Sequence, residues 1–180
     1  YIPGQEKSKY WFIIDPLDGT FNFVKGLGPS AVSIALWEGQ KPIFGVIYSL
    51  IDRHLVWGGA GMGSYCEGQP ISVSETSRND QASICTGFPV RFDLETESAM
   101  QDFLSMTRSY AKVRMLGSAA ISLVNVAKGS ADVYSEQNIM LWDVAAGLAI
   151  IEGAGGGYDL KKTSSEWSCN VFASNAHLSS

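Results

Sequence analysis

The chain has 180 residues, enough for one domain with its own core or for two small lobes. Its 46% hydrophobic and 17% charged residues exclude a disordered polymer. A net charge of −5 argues against nucleic acid as the partner, since phosphate backbones recruit dense Lys and Arg, and no apolar run approaches the about 20 residues that cross a bilayer.

Lys9 to Asp15 reads as a buried strand that runs into an acidic turn. After a loop, Ser30 to Trp37 and Pro42 to Leu50 read as a hairpin, with Glu-Gly-Gln-Lys as its turn. His-Leu-Val-Trp-Gly-Gly and the segment from Gly63 to Ser74 continue as short strands, so the first half is an antiparallel meander. The polar stretch Ser74 to Gln81 divides an antiparallel lobe, residues 1–74, from a second lobe, residues 82–180. In the second lobe Ala82 to Phe88 reads as a strand and Leu94 to Ser109 as an amphipathic helix. Strand 112–116, helix Ser118 to Lys128, strand 131–135, helix Asp143 to Gly153 and strand 170–174 then alternate, which predicts a layered α/β unit.

The first residues lack Met and a helical lead-in, and Ser174 or Asn175 reads as an N-cap with hardly any helix after it. The chain is therefore expected to be part of something longer. No basic segment followed by an apolar stretch opens it, so no secretory signal is read. Cys66, Cys85 and Cys169 are odd in number and widely spaced, which predicts free thiols in a reducing, cytoplasmic setting. His54 and His177 are isolated from the acidic motifs and predict neither a ligand nor a general base.

Three motifs bear on chemistry. In Asp15-Pro-Leu-Asp18-Gly-Thr20, Pro16 fixes φ and Gly19 permits a tight reversal, so the Asp15 and Asp18 carboxylates, the Leu17 carbonyl and the Thr20 hydroxyl share a small volume. Carboxylates that close repel unless a cation lies between them, and hard oxygen donors suit Mg²⁺; a plain solvated turn is the alternative. Trp142-Asp143 leads into a helix of small residues; an N-cap explains Asp143, while the Ala and Gly content says the helix packs very close to something, which a cap does not require. Gly117-Ser118-Ala119 opens another helix, whose first amides suit an anion or a sugar hydroxyl, although a capping Ser explains it as well.

Together the three resemble the signatures of the inositol monophosphatase family, Mg²⁺-dependent and lithium-sensitive phosphatases. Asp-Pro-Leu-Asp-Gly-Thr-Phe-Asn-Phe is similar to the first, Trp-Asp-Val-Ala-Ala-Gly with the following Glu-Gly-Ala-Gly-Gly to the second, and Leu-Gly-Ser-Ala-Ala to the motif between them. The resemblance covers Trp11 to about Asn175. It implies an α+β fold of layered α-β-α-β-α sugar-phosphatase architecture, an antiparallel sheet in its first half, and two lobes forming one catalytic domain. It implies that Asp15, Asp18, Asp143 and the Leu17 carbonyl hold Mg²⁺, two or three ions in the intact site. Asp15, Asp18, Thr20 and Asp143 are then catalytic, with Thr20 orienting the attacking water. On the substrate side the Gly19 and Thr20 amides meet phosphate, and Gly117, Ser118 and Ala119 line the alcohol pocket. Glu136 accepts hydrogen bonds from substrate hydroxyls, and Asp18 and Asp143 border the same pocket. Two metal ions serve phosphate monoester hydrolysis by neutralising the transferred group and generating hydroxide at neutral pH, for in-line attack.

The expected substrate is a small sugar or polyol phosphate, with inositol monophosphate first. Fructose-1,6-bisphosphatase, histidinol-phosphatase and 3′(2′),5′-bisphosphate nucleotidase activities are the alternatives within the family. The nucleotidase branch has Lys-Glu after the Asp-Gly-Thr and a Glu before the Trp-Asp, where this chain has Phe21-Asn22 and Leu141. The family's upstream Gly-Glu-Glu metal ligand has no counterpart in the ten residues before Trp11, and Glu6 lies too close to the strand to replace it. A catalytically silent phosphate-binding protein of the same fold is therefore the reading from another class. A homodimer is expected from the resemblance alone.

Overall fold

A computed structural model of the chain describes residues 8–88 and 97–178. β1 (Tyr10–Asp18), β2 (Ala31–Glu38), β3 (Lys41–Ser49), β4 (Leu55–Gly59), β5 (Gly63–Cys66) and β6 (Gln69–Ile71) pair antiparallel in chain order. This is the expected meander. Side chains alternate across it: Ala31, Ser33, Ala35 and Trp37 of β2 point inward and are buried, whereas Ile34 between them is exposed.

The inward face is lined with small residues because a helix lies against it. α4 (Leu141–Gly153) approaches β3 so closely that a Cβ on Gly45 would sit 2.2 Å from the Ala146 carbonyl oxygen. Ala145, Ala146, Gly147 and Ala149 supply the matching thin surface on α4. α3 (Ala119–Ala127) lies beside it, where a Cβ on Gly147 would overlap Leu123 at 2.5 Å. Both helices are almost entirely buried and share one continuous core with the inner faces of two sheets.

The second sheet has the order β10 (Gly157–Lys162), β11 (Ser168–Ser174), β9 (Val133–Met140), β7 (Ser83–Cys85), β8 (Lys112–Arg114). β7 runs parallel to β8 and β9, while β9, β11 and β10 are antiparallel. α2 (Glu97–Arg108) closes its outer side through Met106, which packs with Ile84, Val133 and Leu178. The amphipathic pattern that predicts α2 begins at Leu94, which lies outside the described residues. The segment joining the sheets is tied by a buried polar knot: Ser74 Oγ donates to Asp132 (2.6 Å), and Asn175 Nδ2 donates to Ser74 Oγ (2.9 Å) and the Thr76 carbonyl (2.7 Å).

Among the described residues the first sheet is covered on one face only. On its other face Phe12 is 69% exposed, Ile14 54% and Tyr48 37%, and β1 forms the sheet's edge.

Several boundaries differ from the sequence expectation. β1 does not stop at Asp15 but runs to Asp18, and the reversal comes at Gly19. Asp15 pairs with Ser33 and Asp18 with Ala31, so β1 fits one extra residue into this interval. The bulge accommodates Pro16, which has no N–H for a regular ladder. The stretch expected as loop begins with a six-residue helix, α1 (Thr20–Lys25), closed by Gly26 at φ 63°. β9 extends to Met140 and passes straight into α4, which starts at Leu141 rather than Asp143. β10 was not anticipated, and residues 175–178 are not helical.

Candidate metal and phosphate site

The β1 bulge decides where the two aspartates point. Residues three apart on a regular strand face opposite sides of the sheet. With one extra residue between them, Asp15 (9% exposed) and Asp18 (6%) both turn inward. Asp143 reaches them from the first turn of α4; because that helix begins at Leu141, Asp143 is its third residue and not its N-cap. One carboxylate oxygen from each of Asp15, Asp18 and Asp143 falls within 4.8 Å of the others.

Gly19 makes the turn that follows. Its φ of 74° is strained for any side chain, and a Cβ there would meet the Pro29 carbonyl at 2.7 Å and Gly117 and Ser118 at 3.2–3.3 Å. Thr20 is exposed, and its Oγ1 donates to the Leu17 carbonyl at 2.7 Å. The Asp15 carboxylate accepts from the Leu17 amide at 3.0 Å.

The helix α3 N-terminus is turned toward Asp18. Ser118 is the N-cap, its Oγ accepting from the Ile121 amide at 3.2 Å and donating its proton to the Asp18 carboxylate. The Ala119 and Ala120 amides donate to the same carboxylate at 3.3 and 3.1 Å. Ser118 and Ala119, expected on the alcohol side, thus contact Asp18 directly, and Gly117 is exposed beside them. Glu136 stands on another wall. Its Oε2 accepts from the buried Tyr134 hydroxyl at 2.9 Å, and the Gly87 backbone donates to the same carboxylate.

The electrostatics follow from this crowding. Burial pushes Asp18 up to about 6; the Ser118 hydrogen bond opposes the rise and the Asp15 charge adds to it. Asp143 is pushed up by burial first, then by the Asp18 charge and by Asp15. Glu136 is raised by burial, with the Tyr134 hydroxyl opposing and the Asp18 charge reinforcing. Among the described residues the ion pairs, such as Arg78 with Asp80, lie elsewhere, and none neutralises the three aspartates. Two buried carboxylates and a half-buried third, with hard oxygen donors and no protein cation pairing with them among the described residues, fit a divalent metal ion such as Mg²⁺.

Two contributors had no role assigned from sequence. Asn22 Nδ2 donates to the Pro29 (2.9 Å) and Leu116 (2.7 Å) carbonyls, clamping α1 to the loop before α3. It lies inside the first motif, so its position was visible and its partners were not. Tyr134 precedes Glu136 by two residues, the spacing that puts both on one face of a strand. The three cysteines are free, with Cys85 and Cys169 buried and their thiols pushed up by burial to about 11 and about 12. His177 pairs at 3.5 Å with Glu75, away from the aspartates.

The inositol monophosphatase family model matches residues 2–171. A fructose-1,6-bisphosphatase/inositol-1-monophosphatase of Aquifex aeolicus (strain VF5) is 37% identical over 153 residues, covering 85% of this chain and 58% of that protein. Inositol monophosphatase 2 of Homo sapiens is 39% identical over 150 residues, 81% of this chain and 51% of that one. The solved inositol monophosphatase from Anabaena (Nostoc) sp. PCC 7120 superposes with a TM-score of 0.86 at 35% identity, covering 97% of this chain and 70% of that chain. The chain thus spans a little over half the length of these curated relatives. No helix of the described residues is long and apolar enough to cross a membrane.

Proposed function

Because the chain belongs to the inositol monophosphatase family, we propose that it serves a Mg²⁺-dependent phosphomonoesterase whose substrate is a small sugar or polyol phosphate, inositol monophosphate first. The observation that carries this reading is the meeting of the buried Asp15 and Asp18 with the half-buried Asp143, without a protein cation among the described residues. These three, with the Leu17 carbonyl, are the groups that would hold the metal. When bound, magnesium supplies charge neutralisation at the phosphoryl group and a lowered pKa for water.

The chain's own residues then have distinct tasks. Thr20 commits its hydroxyl proton to the Leu17 carbonyl, which leaves its oxygen lone pairs to accept from a water and orient it for in-line attack. The Gly19 and Thr20 amides face the phosphate, the absence of a side chain at Gly19 letting the turn pack against Pro29, Gly117 and Ser118. Ser118, Ala119 and Ala120 hold the Asp18 carboxylate in one orientation, so that little reorganisation accompanies catalysis. Gly117 and the α3 end border the alcohol side, and Glu136 accepts from its hydroxyls. The two lobes, 1–74 and 82–180, act as one catalytic unit in a reducing compartment such as the cytoplasm, and the family suggests a homodimer.

The test is phosphate release by the full native chain from inositol 1-phosphate, fructose 1,6-bisphosphate, histidinol phosphate and 3′-phosphoadenosine 5′-phosphate, with and without Mg²⁺. Mg²⁺-dependent release that is fastest from the inositol ester supports the proposal. Faster hydrolysis of the nucleotide would move the substrate assignment, and metal-independent release would end it.

A further inference from the structure

The Glu136 carboxylate is held with unusual completeness for a surface-lining acid. Tyr134 is 1% exposed and reaches out of the core only with its hydroxyl, which donates to Glu136 Oε2 at 2.9 Å. On the other side a Cβ added to Gly87 would lie 2.3 Å from Oε1 and 2.4 Å from Oε2, so the Gly87 backbone lies flat on the carboxylate. Thr86 Oγ1 donates to the Ser135 carbonyl at 2.7 Å and fixes that backbone to β9. An ionised carboxylate offers about four lone-pair sites. Tyr134 and Gly87 use two, leaving the remainder to accept from outside.

We propose that Tyr134 is a positioning residue for substrate discrimination, locking Glu136, against the Gly87 backbone, in the one rotamer whose free lone pairs meet the hydroxyls of a polyol phosphate. The inference rests on the phosphomonoesterase reading above. It predicts a specificity role for a side chain that never touches substrate. A buried phenol needs a hydrogen-bond partner, and here the carboxylate it bonds is the one that would read the alcohol. Without that bond Glu136 gains rotamer freedom, and part of its affinity for hydroxyls is spent on ordering it.

The test compares inositol 1-phosphate with phenyl phosphate, which has the ester but no hydroxyls, using the full native chain with Mg²⁺. Wild type, Tyr134→Phe, Glu136→Gln and the double variant are measured. Tyr134→Phe is expected to lower the ratio of kcat/KM for the inositol ester over the phenyl ester by about tenfold, through KM. In the Glu136→Gln background the same change should move the ratio by less than about twofold, because the two act through one contact. The Mg²⁺ concentration for half-maximal rate should stay in place. Equal losses on both esters, or an undiminished Tyr134 effect without Glu136, would overturn the proposal. If Tyr134→Phe does not fold, Gly87→Ala, whose Cβ would come within 2.3–2.4 Å of the Glu136 carboxylate and push it out of its held position, must lower the same ratio or the proposal falls. A wild type that releases phosphate from neither ester defeats the hydrolase reading itself, a result distinct from a working enzyme with an unchanged ratio.

Discussion

Asp143 lies where neighbouring carboxylates work against stability. Its half-buried carboxyl is pushed up by partial burial first and then by the neighbouring Asp18 and Asp15. Asp143→Asn should reduce Mg²⁺-dependent turnover at least a hundredfold, because a metal carboxylate is lost. Without metal the same change should raise the melting temperature at pH 8 by about 2–4 °C, matching roughly 1 kcal/mol of relieved repulsion. Calorimetry in chelator beside an activity assay checks both signs; a variant destabilised without metal would contradict the electrostatic account. Asp18 sets the pH dependence. Its folded pKa, about 6, lies above the ordinary 3.8, so the metal-free fold holds its full contribution below pH 3.8 and loses it as pH rises through about 6. Metal affinity should run the opposite way, strengthening over that window as the proton leaves, which titration at pH 5 and pH 7 would show.

At the scale of elements, the site depends on two irregularities, the β1 bulge and the α1 turn. Gly19→Ala forces a side chain into φ 74° and against the Pro29 carbonyl at 2.7 Å. A loss of about 2–4 kcal/mol is expected by denaturant titration, with turnover falling further than stability because Asp18 and Thr20 flank the turn. Asn22→Ala should cost about 1–3 kcal/mol by leaving the Pro29 and Leu116 carbonyls without their donor. The elements that the sequence predicts well are those whose cause is local. β2 and β3 alternate, α3 carries its Ser118 cap, and the small residues of α4 announce close packing. The aspartate pair was legible for the same reason, as two carboxylates beside Pro and Gly. What escaped was set by distant partners. The bulge exists because β2 pairs on both sides of it, and α1 is too short for a helical period to register. β10, half of it Lys and Asp, is a strand only because β11 lies beside it. Nothing near Glu136 in the chain points to Gly87, which arrives from the stretch that follows β7 of the same sheet.

Over the whole molecule, the candidate metal site joins two parts of the fold. Asp15 and Asp18 belong to the first sheet, whereas Asp143 lies in the first turn of a helix packed between both sheets. A ligand that binds only this arrangement stabilises it by mass action, about 2.7 kcal/mol at a hundred times its dissociation constant. Mg²⁺ at that level should raise the melting temperature by about 5–10 °C over NaCl of equal ionic strength, and chelator should reverse the rise. The uncovered face of the first sheet has a different consequence, for colloidal behaviour. Phe12 and Ile14 project from β1 on a strand that has a neighbour on one side only among the described residues. A flat apolar edge of this kind templates pairing with other strands. The 180-residue chain by itself should bind a hydrophobic dye and sediment as larger species as its concentration rises. Placing Lys at positions 12 and 14 should keep it monodisperse, since a charge on an edge strand makes stacking against another copy electrostatically costly.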